Sequence, residues 1–317
     1  MCIAFGNFFV TLPANLKKLM ETIKNFNELV AHLASRSDRR RIAVVCPNDP
    51  STHEAVTRAL DEGFADVLLV GADDATRQAF SRYGSRAECL AAADADDAAA
   101  RAVALVREGR ADVLMKGLLN TDQLLRAVLN KETGILPRGR VLTHVTCAQI
   151  AELGRLLFCT DVAVIPHPTK EQREEQLRYV LDACRQMGIG CPRVALINCS
   201  EQVNERHFPH TVEYRELVAK AQDGAFGPCI VDGPLDLKTS LSEAALRKKH
   251  LESPLEGRAD ALIFPDIQAG NVFYKTITLL CHTDTAAVLK GPQVPVVLTS
   301  RGDSPASKFY SLALACL

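Results

Sequence analysis

Apolar residues occur along this chain in short runs, and the runs alternate with stretches of helical period for nearly its whole length. The runs at 42–46, 67–70, 113–115, 162–165, 194–197, 229–231, 261–264, 286–289 and 296–298 are short and rich in Val and Ile. Runs of this kind suit strands covered on both faces. Helical patterning lies between them, at 15–35, 54–62, 98–108, 121–131, 170–187, 211–223, 240–250 and 268–281. Strand and helix in alternation predict an α/β protein with mainly parallel sheet. One phrase recurs. Phe64-Ala65-Asp66-Val67-Leu68, Arg110-Ala111-Asp112-Val113-Leu114 and Arg258-Ala259-Asp260-Ala261-Leu262 each close a helix and open a strand, with the Asp at the turn. The copies are unevenly spaced, so this is no solenoid.

A chain of 317 residues suggests two domains, or one domain carrying an insertion. At 47% hydrophobic and 24% charged it can bury a large core, which excludes a disordered protein. Its net charge of −1 lacks the basic excess of a nucleic-acid binder. The one basic cluster, 36–41, is interrupted by Ser37 and Asp38 and reads as a solvated turn. No apolar stretch approaches the ~20 residues of a membrane span. Residues 1–11 are apolar but have neither a basic start nor an A-x-A cleavage site, so no signal peptide is expected. The eleven cysteines include no C-x-x-C pair, and most sit in apolar runs, as Cys46 and Cys159 do. That is the usage of a reduced, cytoplasmic protein without disulfides or structural zinc.

Open parallel sheets bind ligands beyond the carboxyl ends of their strands. The polar residues there are Lys116-Gly117, Asp232-Gly233-Pro234, Pro265-Asp266 and Ser300-Arg301-Gly302-Asp303. The dinucleotide, P-loop, nucleophile-elbow and zincin motifs are all missing. Three segments carry candidate chemistry. In 295–309 a strand ends at Thr299, Ser300 and Arg301 follow, and Ser304-Pro305 suits a helix start. Free helix N–H groups, Ser300 and the Arg301 guanidinium can hold an oxyanion there, or Arg301 can simply pair with Asp303. In 265–275, Asn271 and Lys275 share one helix face near its start. There Asp266 is either a ligand contact or a cap. In 116–126, Lys116 ends a strand, Asn120 or Thr121 caps the next helix, and Asp122 and Arg126 stand four apart. An exposed ion pair accounts for that last spacing equally well.

Taken together, these segments resemble the phosphate acyltransferases, and most closely their phosphate butyryltransferase branch. The phrase K-G-L-x-x-T-x-x-x-L-R-A-V-L-N-K-E is matched from Lys116 to Glu132, and L-x-H-V at Leu142-Thr143-His144-Val145. L-L-F-x-T-D is matched from Leu156 to Asp161, P-D-I-x-A-G-N-x-x-Y-K from Pro265 to Lys275, and V-L-T-S-R-x-D-S-P from Val297 to Pro305. The likeness runs from about residue 40 to the end. Gln268 and Gly302 lean toward the acetyl branch, whereas Thr143-His144-Val145-Thr146 and Asp303-Ser304-Pro305 follow the butyryl branch. Ser307 and Lys308 stand where the acetyl branch carries an acidic residue.

The resemblance implies two α/β domains with mainly parallel sheets, the second inserted in the first, and a cleft between them. The expected boundaries give residues 1–143 with 292–317 as the first domain and 144–291 as the second. It implies reversible transfer of a short-chain acyl group between CoA and inorganic phosphate by direct attack in a ternary complex. Acyl-CoA, phosphate and acyl phosphate are then the ligands, with no bound cofactor or metal, and the protein is a homodimer or larger. Ser300, Arg301 and Asp303 are the expected catalytic residues. Lys116, Thr121, Arg126, His144, Asp266, Asn271 and Lys275 are expected to bind substrate. Alternatives remain: a phosphate acetyltransferase, a metal-dependent dehydrogenase of similar fold, a catalytically silent relative, and a covalent route through Cys147 or Cys159.

Overall fold

The computed structural model describes residues 22–298 and 304–317. Its centre is one mixed sheet of eleven strands in the order β3-β2-β1-β4-β11-β10-β5-β6-β9-β7-β8. The first parallel block contains β1 (Arg40–Val45), β2 (Ala65–Val70), β3 (Ala87–Leu90), β4 (Val113–Lys116) and β11 (Val296–Val297). The second contains β6 (Leu157–Thr160), β7 (Arg193–Ile197), β8 (Ile230–Leu235) and β9 (Ala261–Ile263). Between the blocks lie β5 (Thr143–Gln149) and β10 (Asp284–Lys290). These pair antiparallel with each other, and antiparallel with β6 and β11 on either side. Three antiparallel steps reverse the chain direction an odd number of times, so the two parallel blocks run in opposite senses. The last strand lies between β4 and β10.

Both faces of the sheet are covered, which is why its strands read as unbroken apolar runs. One face packs against α1 (Phe26–Ala34), α2 (Pro50–Asp61), α6 (Lys170–Gln186), α7 (His210–Gln222) and α11 (Pro305–Ala315). Phe26, Leu60, Leu177, Tyr214 and Phe309 lie in that one continuous core. The other face holds two separate cores. Ala99, Val103, Leu124 and Val128 of α4 (Ala95–Arg107) and α5 (Thr121–Leu129) build one over the first block. Phe273 and Tyr274 of α10 (Ile267–Leu280) pack on the other, over the second block.

The recurrent Ala-Asp phrase has a clear physical role. Asp112 Oδ2 accepts the Arg41 N–H at 2.8 Å, and Asp260 Oδ2 accepts the Arg193 N–H at 2.8 Å. In both cases the carboxylate satisfies a donor at the start of a neighbouring strand. Asp66 instead pairs with Arg86 Nε at 3.1 Å.

Four local expectations are corrected. Residues 162–165 form no strand, because Asp161 takes the N–H groups of 163, 164 and 165 that a ladder would need. The strand of that region is β6, just before them. The helix expected at 15–35 begins at Phe26, where the Asn25 side chain accepts the Glu28 N–H; 15–21 lie outside the described residues. The helix expected at 240–250 is two short ones, α8 (Leu237–Leu241) and α9 (Glu243–Lys248), because Ser242 adopts an extended conformation and caps the second. Finally, β3 and β5 carry Glu, Thr, His and Gln, so they do not stand out as apolar runs.

Removing the Asp112 acceptor leaves a strand-start N–H unpaired. Asp112→Ala is therefore expected to cost about 1–2 kcal/mol in urea unfolding. Asp96→Ala, which removes an exposed ion pair with Arg126, should cost under about 0.5 kcal/mol.

Candidate active site

On the face with two cores, the packing of α5 and that of α10 leave the middle of the sheet between them. The register places Ala287 of β10 beside Thr146 of β5, and Leu289 beside His144. Alternation along a strand turns His144 and Thr146 to this same face, and Thr146 Oγ1 lies 3.1 Å from His144 Nδ1. Ala287 and Leu298 here are only half-buried. The result is a largely buried polar floor, with His144 8% and Thr146 0% exposed and the half-buried Ala287 beside Thr146.

The α10 side of this opening is built on one turn. Asp161, 1% exposed, follows β6 and accepts five hydrogen bonds. One of them comes from the His144 N–H at 3.3 Å. The carbonyl of the next residue, Val162, accepts from Asn271 Nδ2 at 3.0 Å. Gly270 lies so close that a Cβ there would stand 2.1 Å from the Asp161 carbonyl oxygen. His144 and Asn271, 127 residues apart in sequence, are thus held by one five-residue turn. Lys275 is exposed one turn further along α10, its Nζ 5.4 Å from the Tyr274 ring centre. Asp266 is the N-cap: its Oδ1 accepts the Ala269 N–H at 2.9 Å.

The other side is formed at the carboxyl ends of β1, β4 and β11. Lys116 is 5% exposed, and its ammonium donates to the Gly117 carbonyl at 3.2 Å. Gly117 passes against the β1 backbone, where a Cβ would meet the Cys46 carbonyl at 2.4 Å. Thr121 is the exposed first residue of α5, with Asn120 and Gln123 as a reciprocal capping box. Arg126 turns toward α4 and stands 3.7 Å from Asp96, both side chains largely exposed. Ser300, Arg301 and Asp303 lie outside the described residues. The helix after them starts as its sequence implies, with Ser304 accepting the Ser307 N–H and Pro305 in the first turn.

Lys308 and Asp49 carry a second buried contact that no motif announced. The Lys308 ammonium donates to Ser51 Oγ at 2.6 Å and to Asp49 Oδ1 and Thr52 Oγ1 at 3.3 Å. It ties the first turns of α11 to the start of α2. Burial pushes the Asp49 carboxyl upward, but bonds from Thr52 and Ser51 and the Lys308 charge outweigh it and hold the acid at about 2. An isolated Lys in an amphipathic helix reads as solvated, so only the tertiary pairing exposes its role. Asp161 gave a weak signal, as the last residue of one matched phrase.

The two cysteines considered as nucleophiles are fully buried. Burial pushes the Cys159 thiol up to about 12 and Cys147 well above its usual value, so neither offers a thiolate. Among the described residues, no three His, Cys, Asp or Glu side chains gather as a metal site requires.

An acid depressed by folding contributes stability that is complete above its unfolded pKa near 4 and lost as pH falls through its folded value. Asp49→Asn should therefore cost about 2 kcal/mol at neutral pH. In denaturant titrations the gap from wild type should shrink as pH drops from about 4 toward 2.

Residues 89–316 match the family described as Phosphate acetyl/butaryl transferase. The chain is 37% identical over 298 residues to a phosphate butyryltransferase of Clostridium acetobutylicum, covering 93% of this chain and 98% of that one. It is 34% identical over 294 residues to a phosphate acetyltransferase of Thermotoga maritima, covering 92% and 99%. A branched-chain phosphotransacylase from Enterococcus faecalis superposes with a TM-score of 0.78 at 29% identity, over 87% of this chain and 97% of that one. A 4-hydroxythreonine-4-phosphate dehydrogenase structure from Salmonella typhimurium, at TM-score 0.56 and 13% identity, over 89% of this chain and all of that one, shares the fold alone. The chain belongs to the phosphate acetyl/butyryl transferase family, and it is a phosphate acyltransferase.

Proposed function

We propose that this phosphate acyltransferase moves a short-chain acyl group reversibly between CoA and inorganic phosphate, in the manner of a phosphate butyryltransferase. One observation carries the reading: His144 and Asn271, from distant parts of the chain, are both hydrogen-bonded to one turn beside a polar floor. In the thiolysis direction the CoA sulfur attacks the acyl phosphate carbonyl, the thiol proton leaves, and the C–O bond to phosphate breaks. Aligning the two substrates accounts for about 7–11 kcal/mol of barrier, so no protein nucleophile is required. Buried, protonated Cys147 and Cys159 accord with that direct route.

In this reading Arg301 holds the departing phosphate and Ser300 donates to it or to the carbonyl oxygen. Asp303 assists thiol deprotonation. Lys116, Thr121, Arg126, His144, Asp266, Asn271 and Lys275 line the substrate path, with Asp266 acting through the cap of α10. The substrates lie between a first domain of 1–143 with 292–317 and a second of 144–291, in a cytoplasmic homodimer or larger homo-oligomer without a bound cofactor. Support for a partner surface comes from Val272, Leu279 and Leu280, which form an exposed apolar stripe on α10. A phosphate acetyltransferase is the second reading, favoured by Gln268 in the P-D-I-x-A-G-N phrase.

Two measurements test the proposal. Purified protein given acyl-CoA and phosphate should release free thiol with EDTA present, faster with butyryl- or isobutyryl-CoA than with acetyl-CoA. Preference for acetyl-CoA selects the second reading, and no thiol release with any of them rejects both. Arg301→Ala should lose about 3–4 kcal/mol of transition-state stabilisation, roughly a hundred- to a thousand-fold in turnover. Arg301→Lys should recover little of it, because a point charge lacks the planar fork. Activity within a few-fold of wild type, or an unfolded variant, would show that Arg301 is structural.

A further inference from the structure

Asp161 is a buried carboxylate whose environment stability alone does not explain. Its Oδ1 accepts the N–H groups of Ala163 at 2.7 Å and Val164 at 2.8 Å. Its Oδ2 accepts from Thr143 Oγ1 at 2.7 Å, Ile165 N at 3.2 Å and His144 N at 3.3 Å. All five donors are neutral, and among the described residues no cation lies within ion-pair distance of it. Burying a carboxylate without a countercharge is expensive, and only converging dipoles make it tolerable. The network continues below: Thr143 Oγ1 lies 3.2 Å from Thr160 Oγ1 and accepts from Gln176 Nε2 at 3.4 Å. Thr143, Thr160 and Gln176 are all fully buried.

What this arrangement produces is the shape of one turn, and α10 is docked at two points on that turn and at a third on Pro166 just after it. The Ile267 N–H donates to the Pro166 carbonyl at 3.1 Å, Gly270 abuts the Asp161 carbonyl, and Asn271 Nδ2 donates to the Val162 carbonyl at 3.0 Å. A carbonyl can accept only from the nitrogen end of the Asn271 amide. The turn therefore decides which end of Asn271 is left for substrate.

We propose that Asp161 is a positioning residue for acyl transfer, acting through Asn271 by holding the 161–165 turn. The inference rests on the placement of Asn271 in the substrate path. Asp161→Asn is a severe change despite its size, because either amide orientation sets an NH2 group against donors. Thermal unfolding and the kinetics of thiol release are to be measured for Asp161→Asn, Asn271→Ala and the double variant, below their unfolding temperatures. Gly270→Ala, which forces α10 off the turn, serves as a second probe and replaces Asp161→Asn should that variant fail to fold.

The expected result is a fall in kcat of tenfold or more in each single variant, with less than threefold further loss on combining them. Unfolding temperature should drop with Asp161→Asn by the same amount in both backgrounds, which a purely structural residue would also show; the non-additive kcat would not follow from structure alone. If Asn271→Ala leaves activity within twofold, the role of Asn271 is wrong and the proposal falls with it. If Asn271→Ala is damaging but the two losses multiply, the site stands and the coupling is overturned. Wild-type activity in the probe variant also overturns it.

Discussion

The pairing of β5 with β10 is the constraint on which the rest of this structure depends. Seven consecutive positions, from Thr143 opposite Lys290 to Gln149 opposite Asp284, join two parallel blocks that run in opposite senses. Because side chains alternate along a strand, a slip of one residue would turn His144 and Thr146 to the opposite face and bring Val145 and Cys147 into the opening. The packing of Val145 and Cys147 in the large core sets the register, and the register places the polar floor. Stability and site geometry are therefore one requirement here, met by the same strand.

Two acidic side chains beside this sheet are handled differently. On the face opposite the polar floor an ion pair, Lys308 with Asp49, joins α11 to the start of α2. Charge there is neutralised by charge, and the hydroxyls of Ser51 and Thr52 complete the ammonium's bonding. Asp161, by contrast, has no charged partner among the described residues and is solvated by four backbone N–H groups and the Thr143 hydroxyl. The first device anchors a helix, and the second shapes a turn. Arg173, also 5% exposed, adds a third tie by donating to the Pro265 carbonyl at 2.8 Å and to Glu213 at 3.0 Å, which holds the strand end from which α10 departs.

Transfer between two substrates asks for alignment more than for reactive protein groups. A rigid tie of α10 to the 161–165 turn serves that purpose. The buried, high-pKa thiols of Cys147, on the opposite face, and Cys159, beside Thr146 on the same face, behave as core filling.

The fold class was legible in the sequence because strands covered on both faces are wholly apolar, as at 42–46 and 194–197, and period and length suffice to recognise them. Residues 162–165 misled for the same reason: Val162 and Ile165 are apolar for burial, while their backbone is turned by a side chain two to four positions earlier. β5 was hidden by its polar residues, of which His144 and Thr146 share one face and contact each other. The family was legible because its phrases keep their order along the chain, and the P-D-I-x-A-G-N phrase already held Asp266, Gly270 and Asn271. Which of these caps a helix, which abuts a carbonyl and which donates to one depended on what lies across the fold. Sequence by itself determined the elements and the family chemistry, since both are written in local pattern. Only the tertiary structure decided that Lys308 reaches Asp49 and that Asp161 joins His144 to Asn271, because those bonds span 259, 17 and 109 residues and no local pattern encodes a partner so far away.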